Sequence, residues 1–140
     1  MEALFTSQVG GDGLRDRILS VIRDAAALAE AHHVDVHIMT FSFTDDDIAA
    51  ELGEVARSQP NLSIRLIADW HQGADGYKRK VRSLTALGLP NLQVRYKKDQ
   101  PYVWDADASR MRWSYDASRG LLHHKTLGVL VDGRPHTLVT

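Results

Sequence analysis

The sequence predicts an α/β domain built of strand–helix–strand units and closed by a β-hairpin. Three observations carry that prediction. Short apolar runs alternate with longer segments whose apolar residues recur every three or four positions, the two periodicities that separate strands from helices. Gly88 and Pro90 fall at the end of a helical segment, where helix-breaking residues belong. Near the end, Asp132-Gly133 separates two apolar runs, and this dipeptide favours a two-residue hairpin turn.

Each element follows in order. ALFTSQV at 3–9 reads as a first short strand. Asp12 can then cap an amphipathic helix over 13–31, where Leu14, Ile18, Val21, Ile22, Ala25, Leu28 and Ala29 recur on one side. VDVHIMTFSF at 34–43 reads as a buried strand. Thr44 with Asp47 three residues on has the form of a capping box and opens the helix DDDIAAELGEVARS. LSIRLIADW, preceded by Asn61, has the near-continuous apolar run of a central strand. Gly73 to Gly76 reads as a loop and Tyr77–Leu87 as a third helix, ended by Gly88 and Pro90. NLQVRYKK is a fourth strand, residues 99–119 show no clear period, and GLLHHKTLGVLVDGRPHTLVT reads as two strands around the Asp132-Gly133 turn.

Composition sets the outer bounds. The 140 residues are 44% hydrophobic and 25% charged, values of a folded domain rather than a disordered chain. No internal repeat, low-complexity tract or long Gly/Ser linker is expected in residues 1–140, which read as one domain. No run approaches the length of a membrane-spanning helix. MEALFTSQVGGDG has neither the basic nor the apolar region of a secretory signal, so the default expectation is cytoplasmic. With no cysteine, disulfides, thiolate metal sites and cysteine nucleophiles are excluded. The net charge of −1 conceals an asymmetry: residues 1–70 hold 5 Lys and Arg against 12 Asp and Glu, and residues 71–140 hold 12 against 6. A basic second half raises the question of an anionic ligand; the alternative is that the two sets of charge meet across the folded surface.

The residues best suited to chemistry lie in that half. His123 and Lys125 are two apart on an expected strand, so they share a face. An imidazole beside an ammonium suits a phosphoryl group: one attacks phosphorus or moves a proton, the other offsets charge on the oxygens. Asp132, in the turn, could orient a histidine. His124 points to the opposite face, and His136 lies across the turn. Trp70 and His71 follow the C-terminal end of a central strand, the usual ligand edge of an open α/β sheet, and with Lys78 they are candidates to line a substrate groove. Lys80, Arg82, Arg95, Lys97 and Lys98 are read in part as a solvated surface. Tyr102, Trp104, Trp113 and Tyr115, interleaved with Arg110 and Arg112, could stack bases, meet lipid headgroups, or pack a loop over the core. Asp45, Asp46 and Asp47 suit a helix N-terminus better than a cation site.

The stretch LLHHKTLGVLVDGRPHTLVT resembles the phospholipase D superfamily, whose signature is His-x-Lys, four residues, then Asp. The resemblance extends over most of the chain, through the FSFTDDDIAAEL strand–helix junction and RLIADW. It implies an α/β/α sandwich with a mixed sheet and a C-terminal hairpin, and a phosphodiesterase acting on a phospholipid or nucleic acid. It further implies His123 as a nucleophile that forms a phosphohistidine, Lys125 as the phosphate clamp and Asp132 as the orienting carboxylate, with no metal or other cofactor. A site of this family combines two His-x-Lys motifs, and the chain has one, so a second copy or a second half-domain is expected to complete it. Six residues rather than four separate Lys125 from Asp132, and the Gly-Ser-x-Asn that commonly follows the hairpin does not occur before Thr140. The apolar run that reaches Thr140 leads to the expectation that these residues are a truncated half of something larger. These departures also support a second reading, a phosphate- or partner-binding module without a completed site.

Overall fold

The computed structural model describes residues 6–40, 43–69, 80–97, 102–105, 107–113 and 125–140, with side chains for 13–40, 43–69, 80–97, 107–109 and 125–140. The element order is α1 (Thr6–Leu28), β1 (Val34–Thr40), α2 (Asp46–Ser58), β2 (Leu62–Asp69), α3 (Lys80–Ala86), β3 (Leu92–Lys97), β4 (Tyr102–Asp105), β5 (Arg110–Trp113), β6 (Lys125–Val131) and β7 (Arg134–Val139). Five strands form one mixed sheet in the order β3-β2-β1-β6-β7, and β4 pairs with β5 separately.

Strands β1, β2 and β3 are parallel, whereas β6 runs antiparallel to β1 and β7 antiparallel to β6. Both crossovers, through α2 and α3, step in the same direction across the sheet. A right-handed crossover repeated in one direction puts its helices on one face, and α1 packs beside α2 on that face. The burial of alternate strand residues agrees: Val34, Val36, Ile38, Leu62, Ile64, Leu66, Leu127 and Val129 are buried in one core with Ile22, Leu52, Val81 and Leu84 of the helices. Their neighbours His37, Arg65, Gln93 and Arg95 are exposed on the opposite face. The described residues therefore form two layers, three helices on one side of an open mixed sheet.

Several sequence expectations change. Thr6–Val9 lie in helix α1, not in a strand. Both sides of β1 are occupied, by β2 and β6, which leaves a strand from this segment no inner position in the sheet. A short apolar run does not by itself distinguish strand from helix. For the same reason Asp12 lies within α1 rather than capping it. The N-cap of α2 is Asp45, not Thr44: its Oδ1 accepts from the backbone N–H of both Asp47 and Ile48 at 3.0 Å. A carboxylate satisfies two orphan donors and carries the charge that the helix dipole favours. Helix α1 ends at Leu28, so His32 and His33 lie beyond it. Strands β4 and β5 fall where no element was expected. They are four residues each, and Ser109 takes the positive φ of 47° in a connection without Gly or Asn.

The C-terminal hairpin follows the expectation. Asp132 and Gly133 have φ of 49° and 75°, the left-handed pair of a two-residue primed turn. Between Val129 and Leu130 the pairing register shifts, which leaves His136 as an extra residue on β7 next to Pro135. A bulge and a proline suit this strand because β7 is a sheet edge.

A short internal echo also emerges. Pro60-Asn61-Leu62-Ser63-Ile64-Arg65 and Pro90-Asn91-Leu92-Gln93-Val94-Arg95 open β2 and β3 in the same way. Each Asn uses both backbone and side chain to seat its strand. The Asn61 carbonyl accepts from Val34 N–H, and the Asn91 carbonyl accepts from Ile64 N–H. Asn61 Nδ2 reaches Ala29 O at 3.2 Å, and Asn91 Nδ2 reaches Ala56 O at 2.9 Å. β2 is thus tied to the end of α1 and β3 to the end of α2, in each case the helix one unit earlier in the chain.

Candidate functional site

Strand polarity decides which residues meet. The parallel strands end at Thr40, Asp69 and Lys97, and β6, being antiparallel, begins at that edge with Lys125 in register with Thr40. This is the carboxyl edge, where open α/β sheets bind ligands. Thr40 and Asp69 are the buried polar residues there, at 7% and 0% exposure. Lys125 is exposed, and among the described residues no ion pair engages it.

A cavity of about 410 Å³ opens beside Lys125. Ile38, Phe43 and Leu127 are its buried walls, and Ile18 and Ile48 are partly buried residues that extend it between α1 and α2. The N-terminus of α2 also borders it, but Asp45 already occupies two of that helix's free N–H groups. An anion at this mouth would therefore find its positive charge in Lys125 rather than in the helix terminus. The other two aspartates of the cluster are engaged as well: Asp46 pairs with Lys80, and Asp47 lies 3.5 Å from Arg15.

Asp132 is at the far end of β6. It stands seven positions after Lys125, roughly 20 Å along an extended strand. There Asp132 joins the hairpin turn to the loop between α1 and β1. Its Oδ2 lies 2.8 Å from His32 Nδ1, its Oδ1 accepts from the His33 backbone N–H at 3.1 Å, and its own N–H donates to His33 O at 2.8 Å. The hydrogen bond with the His32 ring, and then that from the His33 backbone, hold the Asp132 carboxyl below its usual value. The sequence reading made Asp132 the carboxylate that orients His123; His123 lies outside the described residues, and among those described the Asp132 carboxylate engages His32 and His33.

His123, Trp70, His71 and Lys78, the remaining expected site residues, lie outside the described residues, as does His124. His136 is exposed, its Nδ1 at 2.9 Å from the Thr137 hydroxyl. His37 projects from the face opposite the helices, 3.2 Å from Arg65 Nη1. Arg65 also lies 3.2 Å from Asp35, which in turn is 3.5 Å from His33. Among the described residues no three His, Asp or Glu side chains converge as a metal site, and no helix is long and apolar enough to cross a membrane.

Sequence reasoning missed the cavity and the buried Thr40. Thr40 carried no motif; only its register with Lys125 brings it to the site. Neither a family model nor a curated protein matches the chain.

Proposed function

We propose that this chain is a phospholipase D-like phosphodiesterase half-domain, with His123 and Lys125 acting at the carboxyl edge of the sheet. One observation carries the reading: Lys125, the cation of the His-x-Lys motif, stands exposed at the ligand edge of an α/β sheet beside an open cavity. An ammonium there offsets charge on phosphoryl oxygens as the transition state forms. In the reaction this implies, a nitrogen of the His123 imidazole bonds to phosphorus while the bond from phosphorus to the leaving oxygen breaks. The leaving oxygen takes its proton from the imidazolium of a second His-x-Lys motif, supplied by another copy or half-domain. Water then attacks the phosphohistidine, giving up a proton to that second imidazole and releasing His123. The sandwich architecture of the family belongs to the same proposal, with the three helices as one of its outer layers.

The test is incubation with a labelled phosphodiester followed by a search for acid-labile phosphate on His123. An adduct that disappears in His123→Ala supports the covalent path. Its absence, under conditions where the protein can pair with itself, overturns it.

A phosphate- or partner-binding module remains the second reading, favoured by the distance between Asp132 and Lys125. Phosphate binding that depends on Lys125, without turnover of any diester, would select it.

A further inference from the structure

We propose that Thr40 is a second anion-binding residue beside Lys125, its hydroxyl donating to an oxygen of the phosphoryl group whose charge the ammonium offsets. The inference rests on the reading of Lys125 as a phosphate-binding residue, and it adds to the site a residue that no motif marks.

Strand register brings Thr40 there. Strands β3, β2, β1 and β6 lie side by side, and on the helix-bearing face their residues line up in rows. One row is Leu92, Ile64, Val36 and Val129, and the next toward the carboxyl edge is Val94, Leu66, Ile38 and Leu127. Both are wholly aliphatic. The last row is Tyr96, Ala68, Thr40 and Lys125. Polar groups enter this face at that row and not in the two before it, and two of them, Thr40 and Lys125, are direct partners. Partners on antiparallel strands have Cβ atoms about 4.5–5.5 Å apart, and both residues line the cavity at the carboxyl edge.

Packing does not call for a hydroxyl at this position. Thr40 is 7% exposed and continues the series Val34, Val36 and Ile38 on the buried face of β1, where valine would have the same shape. A buried hydroxyl costs free energy unless it is hydrogen-bonded. It offers one donor and two acceptor sites, so it can serve the protein and a ligand together. A β-branched residue in a packed strand has few χ1 choices. The Thr40 donor is therefore oriented before a ligand arrives, the condition under which donors stabilise developing charge best. Lys125 is exposed and flexible, and supplies charge without a fixed direction. One residue gives direction and the other gives charge. Asp45 lines the same cavity, but its Oδ1 accepts from the N–H groups of Asp47 and Ile48, and the α2 N-terminus offsets its charge.

The test separates shape from hydrogen bonding in the whole chain. Valine keeps the shape of Thr40 and loses the donor; serine keeps the donor and loses the methyl group. Binding of dimethyl phosphate, read by calorimetry, should weaken roughly tenfold or more in Thr40→Val, the loss of one hydrogen bond to a charged group. Thr40→Ser should stay within about threefold of the unaltered protein, since only the restriction of χ1 is lost. Thermal melts identify the folded variants, and Thr40→Ala stands in for a valine variant that does not fold. Undiminished binding in a folded variant without the hydroxyl overturns the assignment. Equal losses in the serine and valine variants also overturn it, because shape rather than the donor would then matter. Failure of the unaltered protein to bind dimethyl phosphate overturns it as well. The phosphodiesterase reading fails on a different result: no turnover of bis(p-nitrophenyl) phosphate by a protein that binds dimethyl phosphate with this order of variants.

Discussion

The two ends of β6, at Lys125 and just past Val131 at Asp132, lie in different surroundings. At the Lys125 end the strand meets the carboxyl edge of the parallel strands, a cavity and an exposed cation. At the Asp132 end it meets the amino edge, where a primed turn is fastened by three hydrogen bonds to His32 and His33. One end is open and the other is closed. Residues seven apart along a strand cannot cooperate through contact; they cooperate only because a rigid strand holds both. The carboxylate of this motif therefore secures the strand on which the lysine is displayed.

That contrast predicts opposite phenotypes for the two ends. The largest effect is expected at the open end. On the proposed phosphodiesterase reading, Lys125→Ala should lower kcat/KM by about a hundredfold or more, the usual effect of removing one donor from a developing anion, and should leave the melting temperature unchanged. Equal losses of activity and stability would erase the distinction between the ends.

Gly133→Ala tests the closed end through the backbone. An alanine held at the φ of 75° costs about 1–2 kcal/mol, read as a lower midpoint in chemical unfolding with kcat retained in the folded fraction. Loss of kcat without loss of stability would show that the turn reaches the site after all.

Asp45→Ala returns to the open end. Removing an N-cap that serves two donors should cost about 1 kcal/mol of unfolding free energy. If an anion binds at the cavity mouth, its affinity should rise slightly, since both a repelling carboxylate and an occupant of the α2 N–H groups are gone. A drop in phosphate affinity, measured by calorimetry, would instead assign Asp45 to the ligand.

The smallest effect concerns pH. The folded Asp132 carboxyl titrates below its ordinary value, so the unfolded state binds the proton more readily. Its contribution to stability is complete above the ordinary aspartate pKa and is lost as pH falls through the lowered folded value. Asp132→Asn retains a residue that tolerates the left-handed turn but removes the charge. Melts of the two proteins should differ at neutral pH and converge in acid; a difference independent of pH would assign the effect to the turn alone.

Much of this was legible in the chain. The 3.6-residue spacing of Leu14, Ile18, Val21, Ile22 and Ala25 marked α1 because those residues must share a buried stripe. Asp132-Gly133 marked the hairpin because few residue pairs accept two successive positive φ values. The segment 102–113 was not legible, since strands of four residues are too short to display a period and Ser109 supplies the turn without glycine. The repeated Pro-Asn-Leu openings of β2 and β3 were present in the letters, but their meaning depends on which carbonyls Asn61 and Asn91 reach.

For the site, local spacing put His123, which lies outside the described residues, on the same side of an expected strand as Lys125, and it also joined Asp132 to them. Sequence alone determined the helices, the longer strands and the residue types capable of phosphate chemistry, because period, turn residues and side-chain charge are local properties. Only the tertiary structure decided that Lys125 lies beside Thr40 and an apolar cavity while Asp132 lies beside His32. Those pairings come from strand order and direction, which bring together residues as far apart as His32 and Asp132 and separate residues that lie within one motif.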